Sequence, residues 1–136
     1  MRGVLLAFVL LVALAAPATA AAPVRVTLTT STSRPVVDAP WRYTITAKDA
    51  KGKPVAAQAR LHILLGTTIV GCWRGTAMTQ CDEMTDGTWI PFRGKRTGVL
   101  TWPVQSVGAR LTFRATVSAR SITWRLRVPV TVQPAG

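Results

Sequence analysis

The sequence predicts an all-β protein, an antiparallel β-sandwich of seven to eight strands that follows a secretory signal peptide. Three observations carry this prediction. Apolar and polar residues alternate with a period of two, turn-forming residues separate the alternating runs, and no run has the spacing of an apolar helical stripe. Seven or eight short strands within about 110 residues are typical of a sandwich. A closed β-barrel is the alternative.

The N-terminus has the features of a secretory signal peptide. Arg2 supplies a positive charge, residues 4–14 are uncharged and apolar, and Ala18 and Ala20 fit the small-x-small cleavage pattern. The apolar run is short for a bilayer core of roughly 30 Å, and a retained N-terminal anchor is the alternative. We therefore expect residues 1–20 to be removed. No second apolar run of spanning length follows, so we expect the mature chain to be soluble, secreted or held at the cell envelope.

Cleavage after Ala20 leaves residues 21–136, a normal size for one domain with its own core. Without Arg2 this domain has 16 basic and 5 acidic side chains, a net charge of +11. Such a charge often indicates an anionic partner, such as an acidic polysaccharide or the phosphate-bearing polymers and lipids of an envelope. A charge that only keeps the domain soluble is the alternative. A nucleic acid is disfavoured because exported proteins rarely meet one.

The best strand candidates direct apolar side chains to one face. They are residues 24–29, 41–48, 57–65, 110–118 and 122–132, the last two joined by a tight hairpin at 119–121. In the third candidate, Leu61 and Leu65 are expected to point inward, and Arg60 and His62 outward. Weaker candidates are 67–73, 88–92 and 98–104, the last two interrupted by Pro91 and Pro103, as at strand ends or sheet edges.

Several stretches resemble a known class of domain: WRYTITAKDAKGKPVAAQARLHIL, GVLTWPVQSVGARLTFRATVSA and RLRVPVTV. They are similar to bacterial immunoglobulin-like and fibronectin-III-like domains of exported actinobacterial proteins. The resemblance covers most of residues 24–132 and implies an immunoglobulin-like sandwich that acts as a spacer, adhesion or ligand-presenting module. It implies no catalytic residue. The chain departs from antibody-type domains, whose two cysteines are far apart in sequence, because its own cysteines are close neighbours.

The two cysteines, Cys72 and Cys81, are expected to form a disulfide, because an exported chain meets an oxidising compartment and no third thiol competes. A zinc site is disfavoured because zinc needs four ligands and neither Cys-x-x-Cys spacing nor further ligands are nearby. A thioredoxin-like pair is disfavoured by the same spacing. His62, on the polar side of its strand, is expected to be a surface side chain rather than a ligand, so no metal or cofactor is predicted.

Two tryptophans flank the cysteine loop, and with two arginines they are the candidate binding surface. Trp73 and Trp89 beside Arg74 and Arg93 could stack on carbohydrate or contact a protein, because tryptophan and arginine are common anchors of recognition. Packing of both indoles over the disulfide is the alternative. The remaining tryptophans are expected in the core or at its rim: Trp41, Trp102 and Trp124.

Three acidic residues, Asp82, Glu83 and Asp86, follow the second cysteine directly. Calcium binds clustered carboxylates, but their spacing does not fit the Asp-x-Asp-x-Asp-Gly loop. Ion pairs across the loop, with Arg74, Arg93 or Arg96, are the expectation, and a calcium site is the alternative.

The sequence predicts a non-catalytic protein. A hydrolytic triad needs a base, and the single histidine has no carboxylate near it in sequence. The leading hypothesis is a small exported module that binds or presents at the cell envelope, with an anionic envelope polymer as a candidate partner. An accessory domain that docks onto a partner protein is the alternative, and an inhibitor whose tied loop enters an enzyme cleft is a third. The sequence leaves the oligomeric state open.

Overall fold

Nine strands that pair antiparallel and one 3-10 turn make up the part of the chain that the computed structural model describes, residues 23–74, 77–81 and 87–136. The strands are β1 (Val24–Thr30), β2 (Trp41–Asp49), β3 (Ala56–Leu65), β4 (Thr68–Arg74), β5 (Ala77–Thr79), β6 (Ile90–Arg93), β7 (Lys95–Leu100), β8 (Arg110–Ala119) and β9 (Ile122–Thr131). The 3-10 turn is Val104–Ser106.

The smaller sheet contains β1, β2 and β7, with β2 in the middle. Val24 pairs with Asp49 at one end of the β1–β2 ladder, and Trp41 pairs with Leu100 on β7. Because side chains alternate along a strand, β2 buries every second residue, and polar and basic residues occupy its other face. The buried residues of β2 are Trp41, Tyr43, Ile45 and Ala47.

The larger sheet has the order β5-β4-β3-β8-β9, and β6 pairs with the first half of β3. After β6 the chain crosses to the smaller sheet at Gly94. The φ of Gly94 is 75°, in the left-handed region that favours glycine. The consecutive strands β6 and β7 therefore belong to different sheets.

The core lies between the inner faces of the two sheets. Phe113 of the larger sheet packs against Trp41 and Tyr43 of the smaller one, with ring centroids 5.0 and 5.1 Å apart. Trp102 adds an edge-to-face contact with Trp41 at 5.2 Å. Both Trp41 and Trp102 are buried, and Trp124 is half-buried against a smaller cluster, as predicted. The predicted all-β class is confirmed, and the two sheets are consistent with a β-sandwich.

The strand count differs from the prediction by one short strand. The three-residue β5 matches none of the eight candidates, so the described residues contain nine strands rather than seven or eight. The candidate 98–104 is replaced by Lys95–Leu100. Pro103, which has no N–H to continue a ladder, instead precedes the 3-10 turn.

Two predicted side-chain environments on β3 are wrong. His62 points to the outer face but is fully buried rather than at the surface. Because β3 is an interior strand, Cys72 on one neighbour and Arg114 on the other flank the imidazole. Leu65 was expected in the core and is 49% exposed, because it ends its strand beside an open cleft.

The hairpin between β8 and β9 is a two-residue turn. Ala119 pairs with Ile122, and the two residues between them, Arg120 and Ser121, have φ of 49° and 64°. Positive φ at both central residues matches the turn to the right-handed twist of the flanking strands. The predicted tight hairpin is confirmed.

Asp49 organises the turn between β2 and β3. Its carboxylate accepts hydrogen bonds from the backbone N–H groups of Lys51 and Lys53, both at 2.9 Å. The hydrogen bond from Lys53 is the main cause that holds the pKa of Asp49 below its ordinary value. The Lys51 hydrogen bond and the charges of Arg120 and Lys53 act in the same direction, and desolvation opposes them.

The lowered pKa of Asp49 predicts an acid-sensitive contribution to stability. Because the folded pKa lies below the unfolded value, this contribution is fully present above about pH 4 and is lost as the pH falls through the folded pKa. Asp49→Asn keeps an acceptor oxygen but does not titrate, so it should flatten the acid limb of the stability profile. Denaturant midpoints measured between about pH 2 and about pH 6 test this. Equal slopes in the variant and the parent chain would contradict it.

The predicted signal peptide, residues 1–20, lies outside the described residues. Within the described ranges the chain has no helix with the length and apolar character that crossing a bilayer requires.

Candidate functional site

The cysteine pair forms a small buried cluster on the outer side of the larger sheet. Cys72 and Cys81 are joined by a disulfide, with their Cα atoms 5.8 Å apart, and both are buried with Leu64 and Ile69. The predicted disulfide is therefore confirmed. Among the residues that the structure describes, no three histidine, cysteine or acidic side chains gather as a metal site would require.

The predicted binding residues on β4 point to opposite faces of the sheet. Trp73 follows Cys72, points inward and packs half-buried against the main core. Arg74 is exposed on the same outer face as Cys72, two residues away. The structure thus places Trp73 with the core and Arg74 with the outer surface.

Trp89 lies on the outer face, where an arginine covers it. The guanidinium carbon of Arg60 lies 4.4 Å from the centroid of the Trp89 ring, a cation–π contact. Arg93 is exposed and pairs with Ala56, four residues along β3 from Arg60. The four predicted binding residues therefore do not form one patch, because Trp73 lies on the other side of the sheet from Trp89.

One row of paired side chains crosses the outer face of the larger sheet. Cys72 on β4 pairs with His62 on β3, His62 pairs with Arg114 on β8, and Arg114 pairs with Arg127 on β9. Paired residues of an antiparallel ladder point to the same face. The row therefore begins at the disulfide and ends in two adjacent arginines.

A second row lies beside the first. It runs from Arg60 on β3 through Thr116 on β8 to Arg125 on β9. The two rows differ by two residues along each strand, so they are about 7 Å apart. Together they gather four arginines that we call the arginine face: Arg60, Arg114, Arg125 and Arg127.

Arg114 lies at the centre of the arginine face and is only 2% exposed. Its Nε atom is buried and has no hydrogen-bond partner in the part of the chain that the structure describes. Burial lowers the pKa of Arg114 below its ordinary value, and the positive charges of Arg127, Arg125 and Arg60 lower it further. Arginine nevertheless stays protonated in proteins. A buried positive charge on β8 therefore lies beside two exposed ones on β9, those of Arg125 and Arg127.

The outer face of the smaller sheet is also basic, but its charges are dispersed. Arg25 and Lys48 pair at one end, and Arg42 lies towards the other. Threonines lie between them, and their hydroxyls bond across strands, as Thr44 does with Thr97 at 3.2 Å. The cations on this face are exposed, so water solvates them. Substitutions on this face therefore serve as controls for substitutions on the arginine face in binding experiments.

The predicted acidic cluster, Asp82, Glu83 and Asp86, lies outside the described residues. The calcium alternative and the expected ion pairs with Arg74, Arg93 or Arg96 remain predictions. In the described part of the chain, acidic side chains occur only at Asp38 and at the turn residue Asp49.

A cleft of about 700 Å³ opens between the sheets at one end of the molecule. Apolar side chains such as Ile63, Leu65, Met78 and Trp102 line it, and Asp38 is the one charged side chain among the described residues that line it. None of the predicted binding residues lines this cleft. It is distinct in charge from the arginine face.

Sequence reasoning missed the arginine face because its members come from three strands. The period-two pattern places Arg60, Arg125 and Arg127 on polar sides of their strands, but only the pairing register brings them together. Arg114 also falls on the polar side of its strand, and nothing in the sequence indicates that its side chain is buried. A search for arginines at outward positions of adjacent predicted strands would have found all four, but not the burial of Arg114.

No protein-family model matches the chain, and no curated protein sequence is a match to it. The class of protein therefore rests on the structure itself. It is an all-β chain with two antiparallel sheets around a shared core, one disulfide, and an arginine face on the larger sheet.

Proposed function

We propose that this chain is an exported immunoglobulin-like module that binds an anionic polymer of the cell envelope through the arginine face. The observation that carries the proposal is the alignment of four arginines on adjacent strands, with Arg114 buried at their centre and no acceptor for its Nε among the described residues. Like charges this close repel one another, so an approaching polyanion gains attraction from several of them at once.

The strand arrangement supports the immunoglobulin-like part of the proposal. A three-stranded sheet of β1, β2 and β7 faces a larger sheet that contains β4, β3, β8 and β9 in that order. The last two strands form the hairpin that the resemblance implies. In this proposal residues 21–136 are one domain, and residues 1–20 are the signal peptide that directs it out of the cell.

A binding role without catalysis fits the position of the only histidine. A general base must reach the substrate proton, within about 3 Å or through one water molecule. His62 is fully buried in the middle of a sheet, between Cys72 and Arg114. We therefore propose recognition by charge and shape, with no cofactor.

The proposal predicts salt-sensitive binding that maps to one face. The mature domain should bind linear polyphosphate at about 20 mM salt and release most of it near 150 mM, because screening shortens the reach of exposed charges. Arg125→Gln/Arg127→Gln should weaken binding roughly tenfold to a hundredfold, since each lost charge-assisted hydrogen bond is worth about 1.5 kcal/mol or less at an exposed site. Isothermal titration calorimetry measures both effects.

The matched control removes the same charge from the other sheet. Arg25→Gln/Arg42→Gln should weaken binding by no more than about twofold, because these exposed residues act only through long-range attraction. Equal losses in the two double variants would show that net charge alone binds the polymer. Absence of binding at low salt would overturn the proposed function, and binding only to vesicles of anionic lipid would replace the polymer by a membrane.

A further inference from the structure

We propose that Arg114, Arg125 and Arg127 form a subsite for a single tetrahedral oxyanion, a phosphate-type group carried by the polymer. The inference rests on the proposed function and names the chemical group that the arginine face recognises. It depends on how these three side chains are arranged rather than on their total charge.

The first step is the cost of burying Arg114. Removing a guanidinium from water is expensive unless an anion or acceptor replaces the lost hydration. Arg114 is 2% exposed, and its buried Nε donates to no acceptor. Its cross-strand neighbour on β9 is another arginine, Arg127, rather than a carboxylate. The position therefore has the charge and the unused donor of an anion site.

The second step is the arrangement of donors around Arg114. Arg127 lies directly across the ladder from it, and Arg125 lies in the adjacent row, about 7 Å along β9. Both are exposed, so their guanidinium groups can reach a ligand at the surface of the sheet. Three planar donor groups thus approach one region from two strands.

The third step is the shape of the anion. Each guanidinium offers paired N–H donors that match two oxygens of one group. A carboxylate has two oxygens in one plane and fills a single guanidinium fork. A tetrahedral oxyanion has oxygens in several planes, so it can accept from several arginines at once. The subsite therefore favours phosphate or sulfate groups over carboxylates.

The test compares anions at constant ionic strength on the intact mature domain. Inorganic phosphate at about 20 mM should raise the melting temperature by several degrees over chloride, because a ligand that binds only the folded state stabilises it. Sulfate should act similarly, and acetate should give less than about half of the shift. Equal shifts with acetate and phosphate would overturn the tetrahedral subsite.

Two variants locate the site. Arg114→Met keeps a long side chain and removes the charge. It should weaken the apparent affinity for phosphate, derived from the melting-temperature shifts, by about tenfold. Arg42→Met on the smaller sheet should leave that affinity unchanged. If Arg114→Met does not fold, Arg127→Gln, at an exposed position, replaces it with the same expected loss. A phosphate shift that survives in Arg127→Gln and in every folded Arg114 variant would overturn the assignment.

The polymer distinguishes failure of this inference from failure of the proposed function. Polyphosphate and polygalacturonate carry phosphate and carboxylate groups on flexible chains. The subsite predicts at least about tenfold tighter binding of polyphosphate at matched charge. Equal binding of both polymers would overturn the subsite and leave the proposed function standing, whereas binding of neither polymer would overturn the proposed function itself.

Discussion

Phe113→Ala should lower the free energy of unfolding by about 3–5 kcal/mol. Phe113 is fully buried on β8 and contacts Trp41 and Tyr43 of the opposite sheet. Its removal leaves a cavity between the sheets and also breaks two aromatic contacts, each worth about 0.5–1.5 kcal/mol. Denaturant unfolding followed by tryptophan fluorescence measures the loss, and Trp41 reports directly from the site.

The control for this prediction is Phe113→Leu. It keeps most of the volume, so it should cost no more than about 1.5 kcal/mol. If Phe113→Ala costs less than about 1 kcal/mol, the two sheets do not share a packed core at this position. A large loss in both variants would instead indicate that the aromatic contacts outweigh the filled volume.

Replacing both cysteines by alanine should lower the free energy of unfolding by about 3 kcal/mol. The disulfide between Cys72 and Cys81 closes a short loop, and loop closure contributes about 2.7 kcal/mol by the chain-entropy estimate. The cysteines also pack with Leu64 and Ile69, so the variant loses buried contacts as well. The midpoint of denaturant unfolding measures the effect.

Reduction of the parent chain is the control for the cysteine variant. Dithiothreitol should shift the parent midpoint towards that of the variant and should leave the variant unchanged. No shift in the parent would mean that the disulfide contributes nothing to the stability of the folded chain. The salt-sensitive binding of polyphosphate should persist in the variant, because Arg125 and Arg127 lie on β9, three strands from Cys72.

The sequence was sufficient to predict the strands that bury one face in the core. In β2 and β8 apolar residues alternate without interruption, and their burial follows the pattern. The disulfide was predictable for a different reason, since only one pairing of two cysteines exists. The hairpin at Arg120 was predictable because the two predicted strands leave just three residues, 119–121, between them, of which Ala119 joins the ladder in the structure.

The boundaries near glycine and proline were less predictable. Residues 88–104 contain two strands, as predicted, but their boundaries depend on the crossing at Gly94, and that crossing depends on which sheet each strand joins. Local patterns contain no information about the partner strand. The predicted strand 98–104 ends at Leu100 instead, and a 3-10 turn follows Pro103. The sequence indicated that this proline interrupts the strand, but not where the strand ends.

The burial of His62 shows why the site was harder to predict than the fold. A period-two pattern divides a strand into two faces, and it assigns polar residues to the solvent side. On an interior strand of a five-strand path, however, neighbours on both sides can enclose an outward side chain, as Cys72 and Arg114 do here. The same geometry buries Arg114. Only the order of the strands reveals it.

The tryptophans of the predicted binding surface illustrate the same point. Trp73 directly follows Cys72 and Trp89 is eight residues after Cys81, but β4 directs Trp73 into the core and Arg60 covers Trp89 from outside. The two tryptophans, although near each other in sequence, therefore lie on opposite faces of the sheet. Of the four predicted residues, Arg74 and Arg93 are exposed, whereas the ring of Trp89 already contacts Arg60, which the prediction did not include.

Mapping of bound polyphosphate on the isotope-labelled mature domain by NMR tests the central claim most directly, because it reports the location of binding as well as its strength. The arginine face predicts that amide shift changes concentrate around Arg114 on β8 and around Arg125 and Arg127 on β9. Amides near Arg25 and Arg42 on the smaller sheet should remain unchanged. Shift changes centred on the smaller sheet, or spread equally over both outer faces, would contradict the claim.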